Sequence, residues 1–96
     1  MSETLEAAGA ASTGSRPLDV TAAYAAHADF VWASLHRMGV RAADLPDLLQ
    51  EVFVVVHRRR DSWDGETPLR TWLFGIALRI AHNYRRKAYR RRERPT

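Results

Sequence analysis

The sequence predicts an all-α fold, a compact bundle of three to four helices in a single domain. Two segments carry this prediction. Asp47 to Phe53 is an acidic helix face over an apolar stripe, and Thr67 to Ala77 is a capped amphipathic helix that runs on into the basic segment Asn83 to Lys87. A chain of 96 residues makes at most one domain, so both segments share one small core. Their exposed faces would offer one surface to a protein and another to a nucleic acid.

Charge is distributed unevenly along the chain. Between Arg79 and Arg94, eight basic residues stand against one acid, Glu93, which gives this end a net charge of +7 and leaves −3 for the remainder. Such asymmetry is typical of a nucleic-acid-binding end, and a solvated basic tail is the alternative. The absence of cysteine excludes disulfides and thiolate metal sites. No apolar run approaches the roughly 20 residues of a membrane span and no signal-peptide pattern is present, so we expect a cytoplasmic protein.

The chain divides into three predicted parts. Residues 1–17 are rich in Ala, Ser, Thr and Gly without a sustained apolar period, which predicts a disordered N-terminal tail. Residues 18–89 are expected to form the helical domain. Residues 90–96, with their basic composition, are expected to begin a linker.

The first predicted helix runs from about Asp19 to Met38. Asp19 or Thr21 can cap its start, and Gly39 suits the left-handed position just past its end. Apolar residues recur at steps of three and four, which predicts one buried stripe. The stripe consists of Val20, Tyr24, Ala28, Val31, Leu35 and Met38.

The second predicted helix begins at Asp44, whose side chain can cap it. Pro46 lies in the first turn, where a missing N–H costs little, and Asp47 is favoured there by the helix dipole. The valines up to Val56 have strand propensity, but the flanking helical period favours a helix. The predicted buried stripe is Leu45, Leu48, Leu49, Val52, Phe53 and Val56.

An acidic face runs along this second helix. Asp44, Asp47 and Glu51 recur at steps of three and four, so they share one side, with Gln50 and Val54 beside them. Because the apolar stripe flanks this face, it could receive a basic partner helix. Surface helices are usually charged on one side, however, and periodicity alone favours that plainer interpretation.

A polar loop from Asp61 to Glu66 surrounds one large aromatic side chain, Trp63. Beside a positive surface, an aromatic ring can stack on an unpaired base. A hydrophobic lid over the helix ends is an equally good interpretation of Trp63 from the sequence alone.

The third predicted helix starts with Thr67 as its cap and Pro68 as its first residue, and it reaches about Tyr89. Gly75 is an unfavourable residue inside it and either permits close packing or marks a bend. The predicted apolar face, which assigns Trp72 to the core, is Leu69, Trp72, Leu73, Ile76, Ile80 and Tyr84.

Basic and polar residues form a second face on this last helix. Arg79, Asn83 and either Arg86 or Lys87 recur at steps of three and four. Arg and Lys can bind phosphates, and Asn can recognise a base edge. This face is therefore a candidate DNA-binding surface.

Catalytic and metal-binding patterns are missing from the sequence. The four histidines show no ligand spacing, and no phosphate loop, nucleophile elbow or His-Glu-x-x-His motif occurs. We therefore expect neither an enzyme nor a bound cofactor or metal.

Four segments together resemble region 2 of a sigma factor of the extracytoplasmic-function type (ECF, group IV), within the sigma-70 family. Their order and spacing are specific, and the similarity covers about residues 24–87. The segments are DLPDLLQEVF at 44–53, RDSWDG at 60–65, TWLFGIA at 71–77 and NYRR at 83–86.

The resemblance implies that the second helix docks on the clamp helices of the RNA polymerase β′ subunit. The loop would take up a flipped-out base of the promoter −10 element, and the third helix would line the unwound non-template strand. The polymerase-binding residues implied are Asp47, Gln50, Glu51, Val54 and Arg58. The DNA-binding residues implied are Trp63, Asp64, Gly65, Glu66 and Thr67 in the loop, Arg79 and Asn83 on the helix, and Arg85, Arg86 and Lys87 at its backbone-binding end.

The implied function is recognition and melting of the −10 element in transcription initiation, with an anti-sigma factor as a further class of partner. The family usually continues through a linker into a helix-turn-helix domain, region 4, and a region 2 alone should dock weakly. Two rivals stay open from the residues: a duplex-DNA helix-turn-helix regulator and a protein-only helical adaptor.

Overall fold

Three α-helices form the part of the chain that the computed structural model describes, residues 18–93. They are α1 (Val20–Arg37), α2 (Leu45–Arg58) and α3 (Leu69–Glu93). Each helix packs against the other two, which confirms the predicted all-α bundle. The predicted N-terminal tail, residues 1–17, lies outside the described residues.

Helix α1 has the predicted caps. The carboxylate of Asp19 accepts a hydrogen bond from the Ala22 N–H at 3.1 Å, and Gly39 adopts the left-handed conformation with φ of 99°. The predicted stripe is wrong at Tyr24, whose side chain is 46% exposed. The buried face includes instead the small residues Ala23 and Ser34.

Helix α2 buries all six residues of its predicted stripe, which supplies the centre of the core. The predicted capping role of Asp44 is wrong. A short 3₁₀ turn, Ala42–Asp44, precedes the helix and leaves Asp44 in a helical conformation, with φ of −98° and ψ of −8°. A capping side chain needs an extended backbone. The Asp44 carboxylate instead accepts a hydrogen bond from the Tyr84 hydroxyl at 2.6 Å.

Helix α3 begins at Leu69, and Thr67 does not cap it as predicted. The Thr67 hydroxyl donates to Asp64 at 2.9 Å, while the Pro68 carbonyl accepts from the Trp72 N–H at 3.2 Å. The helix continues to Glu93, past the expected end near Tyr89. At 1.5 Å per residue its length is about 37 Å, so its basic end extends well beyond the core.

The environment of Gly75 excludes close helix packing as the reason for a glycine there. A Cβ built at Gly75 meets no heavy atom within 4 Å.

We therefore expect Gly75→Ala to raise the free energy of unfolding by about 0.5–1 kcal/mol, since alanine loses less backbone entropy on folding. Thermal denaturation measures this. Gly65→Ala is the matched control and should lower stability, because Gly65 also has open space but a φ of 77°. A Gly75→Ala variant no more stable than the parent would contradict this account.

Candidate functional site

The outer face of α2 carries the residues predicted to bind polymerase. Asp47, Gln50, Glu51, Val54 and Arg58 are all exposed. Acidic side chains stand toward the start of the helix and the basic one at its end, as the helix dipole favours. Between them Val54 is 45% exposed. The face therefore offers negative charge and apolar surface together.

A groove of about 690 Å³ continues this face toward the start of α1. Tyr24 and Val54 line it together with Phe53, whose ring makes an edge-on contact with Tyr24 at 4.9 Å between ring centroids. The prediction from the sequence placed Tyr24 in the core and so missed it as a surface residue. Its position near the edge of the predicted stripe, between two alanines, could have indicated that it is exposed.

The loop before α3 is organised around the carboxylate of Asp64. One oxygen accepts hydrogen bonds from the Glu66 N–H at 2.9 Å and the Thr67 N–H at 2.8 Å, and the other accepts from the Thr67 hydroxyl at 2.9 Å. Gly65 supplies the left-handed residue that the turn requires, with φ of 77°. Because these bonds lie within the loop, its shape is set before any ligand arrives.

Trp63 closes the same loop. Its indole N–H donates to the Thr67 carbonyl at 2.8 Å, and the side chain is half-buried. Both features favour the interpretation of Trp63 as a hydrophobic lid over the helix ends. A ring that stacks on a base would be more exposed. Between Trp63 and Thr67, the exposed residues are Asp64, Gly65 and Glu66.

The hydrogen bonds to Asp64 make the loop sensitive to acid. Donation first by the Thr67 N–H and then by the Glu66 N–H stabilises the carboxylate and lowers its pKa below the ordinary value of 3.8. A lowered pKa means that these bonds stabilise the folded loop above the unfolded-state pKa, and that this contribution disappears as the pH falls through the folded-state pKa.

We expect the Thr67 N–H to be protected from hydrogen exchange at neutral pH. Its NMR chemical shift should report the protonation of Asp64, with a transition below pH 3.8, the ordinary carboxyl value. In the Asp64→Asn variant, the Thr67 N–H should be weakly protected from exchange and should show no such transition. The side-chain amide that replaces the carboxylate carries no charge and does not titrate. A transition in the Thr67 chemical shift above the ordinary carboxyl pKa would contradict a lowered pKa for Asp64.

The predicted DNA-binding residues of α3 do not share one surface. Arg79 and Asn83 line a groove of about 470 Å³ between α2 and α3, together with Trp72, Gly75 and Glu51. Glu51 was assigned to the polymerase-binding face, so the two predicted surfaces meet at this groove. The predicted core position of Trp72 is only half-buried, and the residue lines the groove as well.

Arg85 and Lys87, near the end of α3, lie against different surfaces, since successive helical residues are rotated by about 100°. The Arg85 side chain lies beside Gly39, at the turn after α1. Lys87 lines a small pocket with Asp44 and Asp47 near the start of α2. The predicted backbone-binding end is therefore divided between neighbouring surfaces.

Within residues 18–90, no group of three or more His, Asp or Glu side chains is placed to hold a metal ion. None of the helices in this part of the chain is long and apolar enough to cross a membrane.

The family model described as Sigma-70 region 2 matches residues 23–91. The ECF RNA polymerase sigma-E factors of Escherichia coli (strain K12) and Salmonella typhimurium (strain LT2) are each 42% identical over 52 residues, which is 54% of this chain and 27% of those proteins. The sigma-E factor of Haemophilus influenzae is 44% identical over 41 residues, 43% of this chain and 22% of that protein. The matched part thus spans about a quarter of each relative. No solved structure gave a significant match.

Proposed function

Because the chain belongs to the sigma-70 region 2 family, we propose that it is a sigma factor domain that acts in transcription initiation with RNA polymerase and promoter DNA. It docks on the β′ clamp helices and recognises and helps melt the −10 element as single-stranded DNA. It performs no bond chemistry and works in the cytoplasm, where polymerase is found. The observation that carries the proposal is the family match over residues 23–91, which contains both candidate surfaces.

Docking on the clamp uses the outer face of α2. Asp47 and Glu51 are exposed there, one helical turn apart, and would meet basic groups of the clamp helices. Val54 and the groove at Tyr24 add apolar surface at the same place. Charged groups at the rim steer the encounter, while the desolvated apolar centre supplies most of the affinity. An anti-sigma factor that covered this face would compete with polymerase.

Base capture uses the loop at residues 63–67. Extruding a base costs a few kcal/mol of unstacking, which the loop must offset with contacts of its own. The Asp64 and Trp63 hydrogen bonds hold the loop in one shape, so little ordering entropy is lost on binding. In this account Trp63 and Asp64 position the loop, and Gly65 and Glu66 contact the base.

Strand binding uses the groove between α2 and α3. Arg79 offers a charge for phosphate, Asn83 offers an amide for a base edge, and Trp72 offers part of an aromatic face. Gly75 leaves the floor of the groove open, because no side chain fills the space above it. These groups lie on one side of α3, so a single strand could follow the helix.

The two rival functions have less support. A helix-turn-helix regulator presents a short recognition helix after a tight turn, whereas α3 has 25 residues and follows an elaborated loop. A protein-only adaptor would not explain the groove between α2 and α3 that contains Arg79 and Asn83.

The experiment that tests the DNA-binding part begins with selection of ligands from a randomised single-stranded DNA pool. The selected strand is then titrated against the chain by fluorescence anisotropy, both alone and as a duplex with its complement. We expect enrichment of a short motif and tighter binding of the single strand. Tighter binding of the duplex would support the helix-turn-helix rival, and no binding at moderate salt would support the adaptor.

A further inference from the structure

A second basic pocket lies outside the groove just described, where the turn between α1 and α2 meets the last turns of α3. Its volume is about 860 Å³. Arg41 enters it from the turn, and Arg85, Arg86 and Arg90 enter it from α3. Among the residues whose side chains the structure describes, none that lines the pocket is Asp or Glu. The pocket therefore brings four arginines together in one concave place.

The pocket is held together by contacts between the turn and α3. The Tyr84 hydroxyl donates to Asp44 at 2.6 Å and accepts from the Arg41 N–H at 3.3 Å. These two bonds fix the backbone of the turn against the helix. At Gly39, the position that a Cβ would occupy lies 3.6 Å from Cδ of Arg85. Arg41 and Arg85 therefore project from two elements whose relative position is fixed.

We propose that this pocket binds a phosphodiester group of the DNA backbone, with Arg41 as a phosphate ligand supplied by the turn. The proposal rests on the proposed function, which brings DNA to α3. Arg85 lies about 24 Å along the helix from Leu69, at 1.5 Å per residue. The pocket is therefore well separated along α3 from the loop at residues 63–67.

Arg41 has one competing role, because it also borders the small pocket that contains Asp44 and Asp47. The Asp44 oxygen Oδ2 already accepts a hydrogen bond from Tyr84. If Arg41 served mainly to neutralise these acids, its loss would lower the thermal stability of the chain and leave the salt dependence of DNA binding unchanged.

The test compares the full chain with its Arg41→Gln variant by fluorescence anisotropy. The ligands are the selected single strand and the same strand with a duplex extension on either side. Each titration is repeated over a series of salt concentrations, and thermal denaturation checks the fold. Arg70→Gln is the matched control: it removes one positive charge from α3, but Arg70 lies over the Phe30 ring, 4.6 Å from its centroid, and outside both pockets.

We expect Arg41→Gln to weaken binding of at least one ligand about two- to fivefold at low salt. The slope of log K against log salt should become shallower by about 0.9 for a duplex contact or about 0.7 for a single-strand contact. The ligand that responds identifies the source of the phosphate. Arg70→Gln should change neither slope.

Two results would overturn the inference. If the parent chain binds DNA and Arg41→Gln behaves like Arg70→Gln on every ligand, Arg41 is not a phosphate ligand and only this inference fails. If the parent chain binds none of the ligands, the proposed DNA-binding function fails and the inference fails with it.

Discussion

Glu51→Arg is expected to weaken binding of the chain to a β′ clamp-helix fragment at least about tenfold, a loss of about 1.4 kcal/mol. Glu51 is exposed on the outer face of α2, so the substitution places a positive charge where the proposed partner is basic. The fold should be unaffected, since the side chain contributes nothing to the core. Calorimetric or anisotropy titration measures the affinity.

The same variant should have the opposite effect on DNA. Glu51 borders the groove that contains Arg79 and Asn83, so replacing its negative charge should strengthen binding of a single strand. Asp29→Arg is the matched control, because Asp29 is an exposed acid on α1 and belongs to neither surface. Equal losses of clamp affinity in both variants would show a general charge effect and refute the placement of the docking face at Glu51.

Trp63→Ala is expected to lower the free energy of unfolding by about 2 kcal/mol. Truncating a large buried aromatic costs about 3–5 kcal/mol, and the half-burial of Trp63 reduces this. For a domain of this size the melting temperature should fall by roughly 8–16 °C, at about 4–8 °C for each kcal/mol. Thermal denaturation followed by circular dichroism measures the change.

Trp63→Phe separates packing from the hydrogen bond. It keeps most of the ring and removes the N–H that donates to the Thr67 carbonyl, so it should lose about 1 kcal/mol, a typical net value for one such bond. If Trp63→Ala instead leaves the melting temperature unchanged and weakens single-strand binding, Trp63 stacks on a base and the lid interpretation is wrong.

Local periodicity was sufficient to predict the core of α2. All six residues of its stripe are buried because a helical repeat of 3.6 fixes which side chains share a face. The Asp19 cap and the left-handed Gly39 also depend on neighbouring residues alone. Such features need no knowledge of the tertiary structure.

The errors at Asp44 and Thr67 have a common physical origin. Each has a good helix-start pattern, but each side chain has a better partner elsewhere: Asp44 bonds to Tyr84, 40 residues away, and Thr67 bonds to Asp64. The partner of Asp44 becomes visible only when α3 packs beside the start of α2. Tyr24 was misplaced because the buried face of α1 includes the small residues Ala23 and Ser34, which an apolar stripe of large side chains does not predict.

Which of the predicted site residues would be exposed could largely be predicted from the sequence, but the way in which the fold groups them was harder to predict. The division of Arg85, Arg86 and Lys87 between surfaces follows from helix rotation and could have been anticipated. The position of Arg41 in the same pocket as Arg85 could not have been predicted, because only the folded turn brings the two residues together.

If the domain has two separate binding surfaces, the chain, a β′ clamp-helix fragment and the selected single strand should form a ternary complex, which size-exclusion chromatography can detect. We expect one complex with all three components. Glu51→Arg should remove the clamp fragment from it, and Arg79→Ala should weaken only the binding of DNA. A chain that binds the clamp fragment and the DNA only in competition with each other, or that captures the duplex in preference to the strand, would contradict this expectation.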